Sequence, residues 1–289
     1  MTQQKKDKIP VQRLLVPSYI LYTGKFLTAI SPFLASRFAA RLFLTPFRYK
    51  LPDREKEMDR KSRQSSHFLP ESGREIIVYE YGESSRKILL AHGWSGRGTQ
   101  LAVMAEQLLK AGYSVVSFDA PAHGKAPGKM SMMPHFIEAI HLLNDKFGSF
   151  EAAIGHSLGG MASLRAVKEG LDIQKLVIIG TANSVTHITR EFAQNMKMNN
   201  EVARKMKTYF DKKFGVDMDS LSGAVSAEDV EIPTLVVHDK DDVDVHVSSA
   251  YEIAGSLKEP QIFITEGLGH RRILGNKEVI DKILQFLSV

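Results

Sequence analysis

The stretch Ala153-Ile154-Gly155-His156-Ser157-Leu158-Gly159-Gly160-Met161 sets one serine between glycines, where an apolar run gives way to helical spacing. On its N-terminal side "FEAAIGHS" (150–157) predicts a strand, and on its C-terminal side "GGMASLRAVKEG" (159–170) predicts a helix. The flanking glycines permit a strained turn and leave the space around the Ser157 hydroxyl clear. A serine hydroxyl is a weak nucleophile until a base removes its proton, so the stretch calls for a histidine elsewhere and an acid to orient it. Alone, G-x-S-x-G arises by chance; between a strand and a helix it becomes informative.

Outward from the serine the same alternation continues. "HFLPESGREIIVYEYGE" (67–83) predicts an antiparallel hairpin around Ser72-Gly73, and "KILLAHG" (87–93) a strand buried on both faces. Then come a helix over 99–112, a strand over 113–121 and a helix over 135–148. After the serine follow strands at 175–182, 234–242 and 261–267, with helices at 247–258 and 276–287. A polar, methionine-containing helical excursion, 184–214, interrupts this order. Such alternation predicts an α/β fold: a mainly parallel sheet with helices on both faces and antiparallel character at one edge.

In open α/β sheets, sites form beyond the carboxyl ends of strands. His270, in "EGLGHRRIL" after the last strand, lies in a glycine-rich loop and follows both serine and acid in the chain. For the acid, "VVHDKDDVDVH" (236–246) offers Asp239, Asp241, Asp242 and Asp244. A carboxylate is needed to hold the imidazole tautomer and stabilise the imidazolium. Asp239 is too near the strand end, so Asp241 and Asp242 are the candidates, and a solvated acidic turn accounts for the rest. Acyl transfer also needs preorganised N–H donors for the oxyanion. The backbone amides of Leu158 and Trp94 are the expected pair, with the Trp94 side chain either walling an acyl pocket or packing in the core. His92 and His123, which precede the serine, are expected to shape loops, and His156 to point away from Ser157.

With 289 residues, 43% of them hydrophobic, the chain is long enough for a sizeable core. It has no cysteine, which excludes disulfides, thiolate zinc sites and cysteine nucleophiles and fits a cytoplasmic location without requiring it. The net charge of +5 is uneven: residues 1–65 hold 14 Lys/Arg against 5 Asp/Glu, and the remaining 224 hold 24 against 28. The basic character therefore belongs to an N-terminal arm. No nucleic-acid motif accompanies it, so no nucleic-acid partner is expected. Lys25, Arg37 and Arg41 interrupt the apolar run of residues 11–50, which makes a poor spanning helix and better amphipathic ones. These either pack on the body, the favoured expectation, or make peripheral contact with a membrane.

Together "AHGW", "FDAPAHG", "GHSLGG", "HDKDD" and "GLGH", in that order, resemble the α/β-hydrolase superfamily over about residues 67–289. The resemblance implies Ser157 as nucleophile, His270 as general base, Asp242 as acid, and the Trp94 and Leu158 amides as oxyanion hole, with no metal or organic cofactor. It divides the chain into an arm (1–66), a core (67–182 and 231–289) and a helical cap (183–230). The family usually has Gly where Asp239 stands and often Pro where Val243 stands, which keeps Asp241 as the alternative acid. The implied activity is a serine hydrolase of carboxylic esters or thioesters, with a small-molecule ester carrying an apolar acyl group as substrate. Lipase, acyltransferase and peroxidase-like chemistry would use the same residues. A non-catalytic ligand-binding protein on this fold and a membrane-surface adaptor are the alternatives from other classes.

Overall fold

The computed structural model describes residues 16–288, so the part of the arm before Val16 lies outside the described residues. The chain begins with helices α1 (Ser18–Ile30), α2 (Pro32–Phe43) and α3 (Asp53–Lys61). Strands β1 (Arg63–Phe68), β2 (Glu75–Tyr81) and β3 (Lys87–Ala91) follow, then α4 (Ala102–Lys110), β4 (Ser114–Asp119) and α5 (Met133–Phe147). The serine stretch forms β5 (Ala152–His156) and α6 (Leu158–Lys168), followed by β6 (Lys175–Ile179). Between β6 and the next strand lie α7 (Val185–Asn195), α8 (Asn200–Phe214) and α9 (Gly223–Ala227). The chain closes with β7 (Thr234–Asp239), α10 (Ser248–Ser256), β8 (Pro260–Thr265), α11 (Gly269–Arg272) and α12 (Lys277–Ser288).

The eight strands form one sheet in the order β1-β2-β4-β3-β5-β6-β7-β8. β1 pairs antiparallel with β2 through Phe68 opposite Glu75, the hairpin that the sequence predicts, and β2 pairs antiparallel with β4. All pairs from β4 to β8 are parallel. β1 starts at Arg63, so the arm–core division at 66/67 falls inside the first strand.

Why the inner strands read as continuous apolar runs is visible in their alternation. Leu89, Ala91, Ile178 and Val236 face one core, shared with Phe136 and Ile140 of α5 and Met161 and Leu164 of α6. Ile88, Leu90, Val177, Ile179, Leu235 and Val237 face the other, with Met104 and Leu108 of α4 and Ile283 and Phe286 of α12. Period-two side chains with helices on both faces need apolar residues at every position. Each fully buried Leu, Ile or Phe contributes about 2 kcal/mol relative to exposure. The edge strands β1 and β8 are largely exposed or half-buried, and β8 begins with Pro260, whose missing N–H suits an edge.

The helices between β6 and β7 start and stop by local rules. Asn199 Oδ1 accepts the Val202 amide at 3.1 Å as an N-cap, and α8 ends on Gly215 in the left-handed region at φ 69°. The arm packs onto these helices: Phe43 of α2 lies edge-on to Phe192 of α7 and tilted against Phe210 of α8, with centroids 5.1 and 5.5 Å apart. Ala35, Ser36, Ala39 and Ala40 of α2 are buried. Among the described residues no helix is long and apolar enough to cross a membrane.

Candidate active site

β5 delivers the chain to Ser157, where the backbone turns at φ 52°, ψ −116°. This is a conformation that a non-glycine residue holds only at a cost of about 1–3 kcal/mol. The strain is carried by the serine, and the glycines do something different from what the sequence suggested. A Cβ at Gly155 would lie 2.5 Å from the Gly159 carbonyl oxygen, one at Gly159 would strike the Ala91 and His92 carbonyls, and one at Gly160 would strike Thr181 Oγ1. They let β5, the start of α6 and the loop after β3 approach closely. Ser157 N–H donates to Ile179 O at 2.8 Å, and Ser157 O accepts from Gly160 and Met161, which starts the helix.

His270 lies in α11, a single turn rather than an open loop, entered through Gly267 and Gly269 at φ 84° and 64°. Its Nδ1–H donates to Asp242 Oδ2 at 2.7 Å; the two side chains are 9% and 1% exposed. Asp242 Oδ1 also accepts the amides of Asp244 and Val245, both at 2.9 Å, so the carboxylate is fixed from its far side. Gly180, just past β6 with φ 57°, faces this pair: a Cβ there would sit 3.2 Å from His270 Nδ1 and 3.5 Å from Asp242 Oδ2. Ser157 reaches the same place through its bond to Ile179, the residue before Gly180. Among the described residues neither Ser157 Oγ nor His270 Nε2 makes a hydrogen bond.

The expectation of a solvated acidic turn around Asp242 is corrected. Asp239 is buried and accepts from Thr265 Oγ1 (2.7 Å) and the amides of Gly269 (2.8 Å), Asp241 (2.9 Å) and Leu268 (3.0 Å). Burial alone would raise its pKa, but these donors together hold it below the usual carboxylate value. Asp241 Oδ2 accepts the Gly267 amide at 3.1 Å, and Asp244 pairs with Arg271 at 3.0 Å. The three flanking aspartates therefore hold the segment that carries His270, and the Asp242 carboxylate bonds to its ring.

The loop after β3 lies against the elbow. A Cβ on Gly93 would come within 3.1 Å of Ser157 Cβ, and Gly93 N–H is held by Gln100 Oε1 at 2.8 Å. His92 Nδ1–H donates to Gly93 O at 2.7 Å while its Nε2 accepts from Ala120 at 3.1 Å, a pattern that needs the neutral ring. Burial pushes its pKa down to about 4. Among the described residues the amides of Trp94 and Leu158 donate to no backbone or side-chain acceptor. The Trp94 ring is half-buried, stacked on Phe43 at 6.4 Å and edge-on to His123 at 5.1 Å.

Several contributors escaped the sequence reading. His156 Nε2–H donates to the carbonyl oxygen of His270 at 2.9 Å, tying the histidine segment to the elbow strand. Burial first, and then the neighbouring His270 imidazole, hold its pKa well below the ordinary value, so it is neutral. A glycine at a strand end was the available signal for Gly180; for Gln100 and Phe43 there was none. Among the described residues no group of three or more His, Asp or Glu is placed to hold a metal ion. A polar cleft of about 240 Å³, lined by Asn183, Thr186, His187, Arg190 and Glu252 among others, contains none of Ser157, Asp242 or His270.

Comparison with known proteins agrees with this architecture. The Pyrococcus furiosus esterase Pf2001 is 19% identical, with a TM-score of 0.64 over 84% of this chain and 98% of that one. The Paleococcus ferrophilus monoacylglycerol lipase is 19% identical at a TM-score of 0.58, over 73% and 98% of the two chains. A bromoperoxidase from Bacillus anthracis is 16% identical at 0.60, over 78% and 99%. At such identities, and across three differently described proteins, the likeness establishes the fold alone. No curated protein matches the sequence. The model of the family described as "Serine aminopeptidase, S33" matches residues 82–226, half of the chain, from the end of the β2 strand to the last helix before β7. On that match and on the sheet order, the chain belongs to this family within the α/β-hydrolase superfamily.

Proposed function

We propose that the protein is a serine hydrolase that cleaves a carboxylic ester or thioester of an apolar acyl group. The observation that carries this reading is the hydrogen bond from His270 Nδ1 to Asp242 beside a serine held at φ 52°. With the proton fixed on Nδ1, the lone pair of Nε2 is free to take the hydroxyl proton of Ser157. Ser157 Oγ then attacks the carbonyl carbon, and the amides of Trp94 and Leu158 receive the charge that develops on the oxygen. Each such donor contributes on the order of 3 kcal/mol to lowering the barrier. The imidazolium, stabilised by Asp242, returns its proton to the leaving alcohol or thiol. A water deprotonated by His270 then releases the acyl group from Ser157.

The apolar acyl group is supported by the aromatic wall next to the Trp94 amide: Trp94 on Phe43, and Phe43 against Phe192 and Phe210. Fluorophosphonate labelling tests the reaction class, with the wild type expected to label and Ser157→Ala not. A wild type that fails to label, or a labelled Ser157→Ala, would overturn the assignment. A panel of p-nitrophenyl esters of increasing chain length, run beside aminoacyl p-nitroanilides, tests the bond. Faster turnover of the anilides would move the reaction to peptide cleavage.

A further inference from the structure

Helix α1 has apolar residues on the side it buries and on the side it does not. Gly24 is buried, and a Cβ there would touch Met198 of the turn between α7 and α8. Leu21 and Leu27 pack on the same core. On the outward face Tyr19, Tyr22, Phe26 and Ile30 recur at helical spacing and are exposed, Tyr22 by 72% and Phe26 by 64%. Phe33 and Leu34, at the start of α2, are exposed as well, with the Arg37 guanidinium over the Phe33 ring at 4.7 Å. Six large apolar side chains exposed within residues 19–34 are more than scattered surface residues explain.

The charge beside this face says what it meets. From residue 16 to 50 the chain holds five Lys/Arg (Lys25, Arg37, Arg41, Arg48 and Lys50) and no Asp or Glu. Lys25 and Arg41 are exposed, and among the described residues neither has a carboxylate partner. The fifteen residues preceding Val16 add Lys5, Lys6, Lys8 and Arg13 against Asp7 alone. A second copy of the chain on the same face would bring these like charges together across the twofold axis, which is unfavourable. At 13 residues, about 20 Å, α1 falls short of the roughly 30 Å hydrocarbon core of a bilayer. Tyrosines and phenylalanines beside exposed lysine and arginine suit the boundary between headgroups and acyl chains.

We propose that α1 and the start of α2 dock in the plane of an anionic phospholipid bilayer, with Tyr19, Tyr22, Phe26, Ile30, Phe33 and Leu34 inserted. Lys25 and Arg41, both exposed, face the headgroups. The same α2 carries Phe43 onto Trp94, so the docked surface and the rim of the candidate site belong to one helix pair. The docking stands independently of the reaction assigned above.

Flotation of the full-length protein with phosphatidylcholine vesicles, with and without phosphatidylglycerol, tests it. At about 0.1 M salt the wild type floats with the anionic vesicles, and at about 1 M salt, where surface charges are screened, binding falls. Each basic side chain near the surface contributes about fivefold to partition, so Lys25→Glu/Arg41→Glu lowers it by at least tenfold. Tyr22→Ser/Phe26→Ser, both at exposed positions, lowers it by about tenfold with thermal melting unchanged. Ser157→Ala floats like the wild type, which separates this result from the catalytic one. Wild type that stays in solution with either vesicle, or a Tyr22→Ser/Phe26→Ser protein that floats as well as wild type, overturns the proposal. So does a wild-type dimer that these substitutions dissociate in the absence of vesicle binding, since a second copy would then be the occupant.

Discussion

At the scale of single residues, two substitutions separate chemistry from positioning. Asp242→Asn keeps the size of the side chain but loses the acceptor that fixes Nδ1–H of His270. We expect kcat for a p-nitrophenyl ester to fall by on the order of 10³–10⁴ with little change in KM, because the wrong tautomer leaves no base for the serine. A loss confined to KM would exclude that role. His156 works through another residue: its Nε2–H holds the carbonyl of His270. His156→Leu leaves that acceptor unpaired, at an expected cost of about 1–3 kcal/mol in urea unfolding. It should also lower kcat more than KM, since the imidazole would lose its register against the elbow. If the variant unfolds at the same urea concentration as wild type, the bond contributes nothing.

At the scale of elements, the site is a meeting of strand ends, and its tolerances are those of backbone against backbone. Gly159 at the start of α6 has the Ala91 and His92 carbonyls where a Cβ would go. Gly159→Ala must therefore displace either α6 or the loop that carries the Trp94 amide, at an expected cost of about 3 kcal/mol. Gly255, near the end of α10, has, among the described residues, nothing within 4 Å of its Cβ position and no unusual φ. Gly255→Ala should stabilise by about 0.5 kcal/mol or more through helix propensity. Thermal melting of the two proteins checks both signs; equal shifts would mean that close approach at the elbow does not matter. The other device at this scale is the acidic turn after β7. Asp239, Asp241 and Asp244 clamp the segment from Gly267 to Arg271, so the histidine is placed by a neighbouring strand end and not by its own strand.

For the whole molecule, pH stability follows from its buried histidines. Burial pushes His92 and His135 down to about 4, and lowers His123, His156 and His238 below their ordinary value. In the unfolded chain these rings take up protons near pH 6.5. Between about pH 6.5 and pH 4 the unfolded state therefore binds more protons than the folded one, and stability falls as pH falls. Each such ring removes up to about 1.4 kcal/mol per pH unit across that window. Asp119 and Glu55, raised by burial, oppose the trend, but they are two groups against five. The melting temperature should be at its plateau above about pH 6.5 and drop steadily from there towards pH 4.5. A melting temperature that rises on acidification would show that the carboxyls dominate.

The sequence by itself determined the alternation of strands and helices and the mainly parallel sheet with an antiparallel edge, because strand and helix periods, apolar runs and turn glycines are local signals. It also placed Ser157, His270 and the pair Asp241 and Asp242 at strand ends. Which aspartate meets the ring was decided only by tertiary structure. Asp241 and Asp242 are neighbours in sequence, and it is the turn after β7 that sends one to the Gly267 amide and the other to His270. The same holds for Gly180 beside that pair, for His156 on the His270 carbonyl, and for Phe43 on Trp94. Each joins residues far apart in the chain, and no pattern along the sequence encodes such a contact.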